Sequence, residues 1–250
     1  MRSKGYDYIR YANRYFHPPT PKAALRAIEQ GLLPPEAYLY WASSVKPLYE
    51  EPFDTYEIDR ILARKDNDLT TLLLIISILQ KLIVSKDSET ALFAAESLNR
   101  IEIKFTSRIE ELRNGIEEDP GELSHYRQLG KTYYEFSQIS QGRETIRNFY
   151  LKEAFDQMKQ LLSKTDTPSK EDYILLSRIL IELKIYSQSI VTINKALTLY
   201  KDDPDLWLLW AESAFYLNKI DLVLQVCRKL SQMTLYPETR AVVDFWSRRV

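Results

Sequence analysis

Two stretches in the C-terminal half of the chain decide the fold, because the second repeats the first. They read YILLSRILIELKIYSQSIVTINKAL from Tyr173 and WLLWAESAFYLNKIDLVLQVCRKL from Trp207, at an offset of 34 residues. At this offset large apolar residues align with large ones, as in Tyr173 with Trp207, and small residues align with small ones, as in Ser177 with Ala211. Self-similarity at such a fixed period indicates a repeat architecture. We therefore predict successive helix–turn–helix units stacked into an array.

The repeat resembles the tetratricopeptide repeat (TPR), a helix–turn–helix unit of 34 residues. In the unit that begins at Tyr173, the positions that match the family pattern are Tyr173, Leu176, Ser177, Leu180, Ser189, Ile193 and Ala196. Small residues let the paired helices approach closely, and large residues fill the gaps between them. The unit at Trp207 departs from the pattern at Trp210, Val223 and Leu230.

An earlier copy begins at Tyr126, where YRQLGKTYY gives the best first-helix match in the chain. Its matching residues are Tyr126, Leu129, Gly130 and Tyr133, and Pro120 precedes them. Its second helix is displaced, since the small and large packing positions fall at Ala154 and Met158. The displacement requires about 12 extra residues relative to the 34-residue period. We therefore predict two unusually long helices, over 122–141 and 144–163.

The N-terminal part of the chain has a different organisation. Seven of the eleven prolines lie in the first 52 residues, and because proline breaks helix interiors, they predict short helices over 3–16, 21–31, 35–46 and 54–65. Asp68 is expected to cap an apolar helix that runs to about Val84, and Asp87 or Ser88 the next one. The buried face of that next helix is predicted at Leu92, Ala95, Leu98, Ile101 and Ile109. This pair of helices resembles a HEAT or armadillo unit.

These patterns predict an all-α fold, a right-handed α-solenoid of antiparallel, TPR-like helix pairs with an N-terminal helical region. The apolar stretch 69–84 is 16 residues long and contains Gln80 and Lys81, so we expect a core helix rather than a membrane span, which needs about 20 apolar residues. A C-terminal capping helix is expected to turn Val242, Val243 and Trp246 inward. The predicted domains are a short-helix region (1–65), a HEAT-like pair (66–119), three TPR-like repeats (120–236) and the capping helix (237–250).

Catalysis is not indicated by the sequence. His17 and His125 lie far apart in no ligand or triad spacing, and Cys227 occupies a core position of its repeat, which favours a buried thiol. The acidic run Glu117, Glu118 and Asp119 falls in a turn before Pro120, where a pocket for paired catalytic carboxylates is not expected. The net charge of −1 disfavours a nucleic-acid partner. We expect no enzyme activity, no cofactor and no metal.

Protein binding is the function that the repeats favour. In TPR arrays the first helix of each unit lines the concave face, and the resemblance lets the residues of that face be mapped. One end of the mapped face is basic and the other acidic, which suits an extended peptide or a charged partner helix; a solvated face of mixed charge is an equal alternative. The family's Lys/Asn/Asn/Lys/Arg carboxylate clamp is missing, which disfavours chaperone-tail binding. The predicted partner-binding residues are Arg127, Gln128, Lys131, Tyr134, Leu175, Arg178, Glu182, Leu209, Glu212 and Tyr216.

A more specific resemblance covers residues 68–163. The apolar helix, the ETALFAAESL stretch and the extended first repeat resemble the TPR-bearing inner-membrane subunit of the Pel exopolysaccharide machinery. The resemblance implies a cytoplasmic scaffold that holds a polysaccharide synthase or a cyclic-di-GMP receptor at the inner membrane. That family usually carries membrane spans before this region, and we expect none here.

Two other functions stay open at this point. The first is a small-molecule sensor or enzyme with a pocket between the N-terminal helices and the repeats. The second is a peripheral membrane protein, since Tyr8, Tyr11 and Tyr15 lie at helical spacing among basic residues, a pattern that suits a membrane surface or packing against another helix.

Overall fold

The computed structural model describes residues 55–63, 68–84, 87–140 and 142–247. Helices predicted over 3–16, 21–31 and 35–46, together with the tyrosines at 8, 11 and 15 and His17, lie outside the described residues. Within those ranges the chain is helical with no β-strand, which confirms the all-α class. The helices are α1 (Thr55–Leu62), α2 (Leu69–Leu82), α3 (Ser88–Glu118), α4 (Leu123–Ile139), α5 (Glu144–Lys164), α6 (Lys170–Glu182), α7 (Tyr186–Leu199), α8 (Pro204–Tyr216), α9 (Ile220–Ser231) and α10 (Pro237–Ser247).

The chain divides into two compact units between Ile103 and Lys104, inside α3. In the first unit, Asp68 caps α2 as predicted, with its carboxylate accepting a hydrogen bond from the backbone N–H of Thr71 at 2.9 Å. Asp87 does the same for α3 through the N–H of Thr90 at 3.0 Å. These caps satisfy backbone donors that have no partner within the helix. Four apolar residues of α2 are buried: Ile75, Ile76, Ile78 and Leu79. None of the helices in the described ranges is both long and apolar enough to cross a bilayer.

The buried face of α3 differs from the prediction. Leu92 is 60% exposed and Ala95 is exposed, whereas Ala94, Ser97 and Ile101 are buried. The predicted residues were spaced by three, and a helix with 3.6 residues per turn drifts by about 60° at each such step. Leu92 therefore lies about half a turn away from Ile101 around the helix axis.

The second unit contains the three predicted helix pairs, α4–α5, α6–α7 and α8–α9, followed by α10. Each helix packs on the next along the chain, and the first helices also contact one another, α4 with α6 and α6 with α8. The packing positions of the unit at Tyr173 are all buried, as predicted. This unit is thus a helical array in which the first helices of successive pairs lie side by side. The handedness of the array stays a prediction.

The 34-residue period is also present in the backbone. Lys184 and Asn218 stand 34 residues apart, and both adopt the left-handed conformation, with φ of 63° and 58°. After them, the N–H of Ile185 bonds to the carbonyl of Leu180 at 2.8 Å and that of Lys219 to the carbonyl of Ala214 at 2.9 Å. A left-handed residue with a bond of this kind ends a helix sharply. The same turn therefore closes both first helices.

The first pair is longer than the others, as predicted. Its helices have 17 and 21 residues, against 12 to 14 in the two later pairs. The extra length of this pair carries aromatic rings, and Phe136 of α4 lies 4.3 Å from Tyr150 of α5 and 5.2 Å from Phe105 of α3, centroid to centroid. Arg113 of α3 also donates to the hydroxyl of Tyr133 at 2.7 Å. The C-terminal part of α3 is thereby packed onto the first pair.

The capping helix α10 is only partly oriented as predicted. Val243 is buried, and Trp246 packs edge-on against Phe215 with ring centroids 5.8 Å apart. Val242 is 51% exposed, so its predicted inward orientation is wrong. Adjacent residues of a helix point about 100° apart, and therefore Val242 and Val243 cannot both face the same core.

Candidate partner-binding face

The predicted partner-binding residues all lie on the first helices α4, α6 and α8. We call the surface of these three helices the first-helix face and define it by Gln128, Lys131, Tyr134, Leu175, Arg178, Glu182, Glu212 and Tyr216. The contacts of α6 with both α4 and α8 place the three helices next to one another. The pairing of the charged groups on this face was not predictable from the sequence.

Arg127 is held by an ion pair within the array. Its Nε and Nη2 donate to the two carboxylate oxygens of Asp172 at 2.6 and 2.8 Å. Asp172 is only 1% exposed and is the third residue of α6, where it also accepts from the backbone N–H of Ser169 in a capping box. Burial raises the pKa of Asp172, but the hydrogen bonds from Arg127 and Ser169 together lower it by more. Arg127 therefore joins α4 to α6, and we leave it out of the first-helix face.

Two other residues of α4 also have partners inside the chain. Lys131 forms a long ion pair with Glu135 at 3.7 Å, one helical turn away. The side-chain oxygen of Gln128 accepts from Nη2 of Arg108 at 2.5 Å. Both residues are exposed. The basic end expected from Arg127 and Lys131 is therefore largely neutralised by Asp172 and Glu135.

Glu182 is the most connected residue of the face. Its carboxylate accepts from the hydroxyl of Tyr134 at 2.8 Å, from Nε2 of Gln138 at 2.7 Å and from Nη2 of Arg147 at 2.7 Å. Burial, and then the charge of Glu182, raise the pKa of Tyr134 far above its ordinary value. Sequence reasoning missed Gln138 and Arg147, although both belong to the lengthened first pair. This cluster joins the C-terminal ends of α4 and α6 to the start of α5.

Arg178 and Glu212 differ from these paired groups. Both are exposed, and neither makes a hydrogen bond or an ion pair with any residue in the described ranges. They are still close enough to interact, since the pKa of Glu212 is raised first by desolvation and by the charge of Glu182, while Arg178 lowers it. The charge of Arg178 also reaches Tyr134 on α4. This guanidinium and this carboxylate therefore lie on adjacent helices and act on each other through charge, without a direct hydrogen bond.

The apolar residues of the mapped set fall in three different environments. Leu209 is 4% exposed and belongs to the core cluster with Tyr173 and Ile193, so it cannot contact a partner from the surface and its assignment to the face is wrong. Leu175 is half-buried. Tyr216 is 47% exposed, and its ring stacks on that of Tyr186 with centroids 4.8 Å apart and planes inclined by 13°.

The sequence offered three candidate reactive groups: Cys227, His125 and the acidic run 117–119. The structure places each of them in a different environment. The thiol of Cys227 is buried, and burial raises its pKa, which keeps it protonated. The ring of His125 lies against Gly115, where an added Cβ would come within 2.9 Å of it. Glu117, Glu118 and Asp119 are all exposed.

The fold defines the class of this protein as an all-α repeat array of TPR-like helix pairs. No protein-family model and no curated protein matches the chain. Among solved structures, a thermophilic TPR protein of Thermus thermophilus matches with 17% identity and a TM-score of 0.47. The match covers 71% of this chain and 90% of that one.

Proposed function

We propose that this chain is a non-enzymatic scaffold that binds a protein partner on its first-helix face. One observation supports this most directly: Arg178 and Glu212 are exposed, and within the described residues they make no hydrogen bond or ion pair and act on each other only through their charges. The charged groups around them are bound to each other. Charged groups that serve only the fold are expected to have hydrogen-bond partners inside the protein. Exposed charged groups that are not hydrogen-bonded within the chain are suited to contacts with another molecule.

The rigidity of the face also supports a binding role. Arg127 with Asp172 and Glu182 with its three donors hold α4 and α6 in register. The backbone of packed helices is already ordered before a partner docks, so the entropic cost of association is confined to the exposed side chains. Leu175 and Tyr216 add apolar surface on the same first helices.

Site-specific photo-crosslinking tests this proposal. Leu175→p-benzoylphenylalanine places the crosslinker on α6 within the face, and Val191→p-benzoylphenylalanine places it on the exposed surface of α7 as a matched control. We expect a discrete crosslinked protein from the first variant in native lysate, and its loss when Arg178→Glu is added. The proposal fails if the two positions give the same products, or if Arg178→Glu leaves the product from position 175 unchanged.

The finer proposal is that the partner is a subunit of a membrane-bound exopolysaccharide synthesis or export complex, with this chain on its cytoplasmic side. It rests on the resemblance of residues 68–163 to the Pel subunit alone. Mass spectrometry of the crosslinked product tests it. A glycosyltransferase or export subunit supports the Pel-like role, whereas an unrelated protein contradicts that role and leaves the scaffold function standing.

The alternative function, a small-molecule sensor or enzyme, needs a pocket beside N-terminal helices that lie outside the described residues. Native mass spectrometry of the purified chain distinguishes the two. A retained small molecule without any crosslinked protein would favour the sensor or enzyme.

A further inference from the structure

The charges on and beside the first-helix face sum to a balanced set, but they are not all neutralised locally. Three ion pairs are closed within the chain: Arg127 with Asp172, Lys131 with Glu135 and Arg147 with Glu182. Arg178 on α6 and Glu212 on α8 make no hydrogen bond or ion pair with a described residue, although the charge of Arg178 reaches Glu212. The face therefore offers one hydrogen-bond donor group with positive charge and one acceptor group with negative charge, on neighbouring helices.

The negative group has an aromatic neighbour that suits a cation. Glu212 and Tyr216 are four residues apart on α8, and therefore lie one above the other on the same side of the helix. Both are exposed, and the Tyr216 ring is held in place by its stack on Tyr186. A cation near a carboxylate and an aromatic ring gains from both. This end of the surface is thus built to accept a basic side chain.

The positive group, Arg178, lies on the neighbouring helix α6, and its charge reaches Glu212. Its guanidinium can donate two parallel hydrogen bonds to a carboxylate. A purely basic partner would meet Arg178 as a like charge, and a purely acidic partner would meet Glu212 and Glu182. Like charges brought together disfavour a wrong partner. Charge complementarity therefore favours a partner that carries both signs.

We propose that the partner presents an acidic side chain to Arg178 and a basic side chain to Glu212 and Tyr216, on one extended segment of a protein. This inference deepens the proposed function and rests on it. The segment is recognised as a dipole, with a carboxylate over α6 and an ammonium or guanidinium over α8. Selectivity comes from the arrangement of the two charges and not from net charge, because the face itself is balanced.

A peptide-binding experiment on the full chain tests the charge arrangement. The probes are short capped peptides of Ala, Gly and Tyr that carry one Glu and one Arg at several spacings, two Glu, two Arg, or neutral Gln and citrulline at the same places. Binding is measured by fluorescence anisotropy at low salt. The wild-type chain is expected to bind the Glu-plus-Arg peptides about fivefold or more tightly than the other classes, the difference that one exposed ion pair can supply.

Charge reversals should redirect this preference. Arg178→Glu makes both free groups acidic and should shift the preference to peptides with two Arg, whereas Glu212→Arg makes both basic and should shift it to peptides with two Glu. Lys152→Glu and Asp156→Arg, at exposed positions of α5, change the net charge by the same amounts away from the face. These controls should keep the wild-type preference.

The results separate this inference from the function on which it rests. If the face variants and the α5 controls shift preference alike, or if the wild type selects no class, the dipolar recognition is wrong. A crosslink at position 175 in that case still supports the scaffold. If crosslinking at position 175 also fails, the scaffold proposal falls with it. Melting curves that match the wild type verify that each variant is folded.

Discussion

Replacing Arg127 by methionine removes the guanidinium from a carboxylate that has almost no contact with water. Asp172 is 1% exposed and accepts two hydrogen bonds from Arg127, at 2.6 and 2.8 Å, besides the one from Ser169 at 3.0 Å. Methionine keeps most of the aliphatic length of arginine, so the variant Arg127→Met chiefly removes the charge and the two donors. Asp172 then stays buried with the capping bond alone.

The size of the destabilisation by Arg127→Met depends on how deeply Arg127 and Asp172 are each buried. Removing one partner of a buried ion pair costs about 3–5 kcal/mol. Arg127 is 43% exposed, so water already weakens the pair, and the N–H of Ser169 stays with the carboxylate. The exposure of Arg127 and the remaining bond from Ser169 both reduce the loss of stability. We therefore expect Arg127→Met to lower the free energy of unfolding by about 2 kcal/mol at neutral pH.

The loss should depend on pH in a defined direction. Burial raises the pKa of Asp172, but the bonds from Arg127 and Ser169 lower it further, so the folded-state pKa lies below the ordinary value of 3.8. A carboxyl group with a lowered folded-state pKa stabilises the fold above its unfolded pKa, and this contribution is lost as the pH falls through the folded pKa. The difference between Arg127→Met and the wild type should therefore shrink as the pH drops below about 3.8.

Urea unfolding followed by helical circular dichroism measures this difference across the pH range. Arg178→Met is the matched control, because Arg178 is exposed and unpaired within the described residues, and its loss should change the free energy of unfolding by at most about 0.5 kcal/mol. If Arg127→Met is no more destabilising than Arg178→Met at neutral pH, or if its effect persists unchanged in acid, the ion pair does not join α4 to α6.

The remaining predictions concern the backbone and can be measured by the same unfolding assay. Gly130→Ala should destabilise the protein by about 1 kcal/mol, since the new Cβ would lie 2.7 Å from the buried Met158 sulfur and overpacking outweighs the helix-propensity gain; an equal loss in a Met158→Ala background would contradict this cause. Lys184→Gly should stabilise the protein by about 1 kcal/mol, because it relieves a left-handed lysine with φ of 63°. Asn218→Gly should have little effect, because asparagine tolerates that conformation, and equal gains at the two positions would refute the strain argument.

Much of the fold could be predicted because repetition in sequence forces repetition in structure. Ser177 and Ile193 are buried, and so are their counterparts Ala211 and Cys227 in the next unit, so comparing two copies identifies the core. The long first pair was predicted from the displacement of Ala154 and Met158, and both are fully buried. The caps at Asp68 and Asp87 were predictable since an N-cap depends only on adjacent residues.

The predicted partner-binding residues were wrong where equivalent positions of the three first helices pack against different neighbours. Gln128, Leu175 and Leu209 occupy equivalent positions of the three first helices, yet they are exposed, half-buried and buried. The core cluster that includes Ile193 covers Leu209. The burial of a residue depends on which neighbours pack against it and not on its position in the repeat. The sequence of each helix alone therefore could not predict that these three equivalent residues differ in burial.

The sequence by itself determined the class, the period and the helix pairs of this protein, because hydrophobic spacing, caps and turns act over a few residues. Only the tertiary structure decided which charges are available. Arg127 and Arg178 look alike in the sequence, but one is bound to Asp172, 45 residues away, and the other has no fixed partner among the described residues. Electrostatic pairing depends on distances between helices, and those distances are set only when the pairs pack.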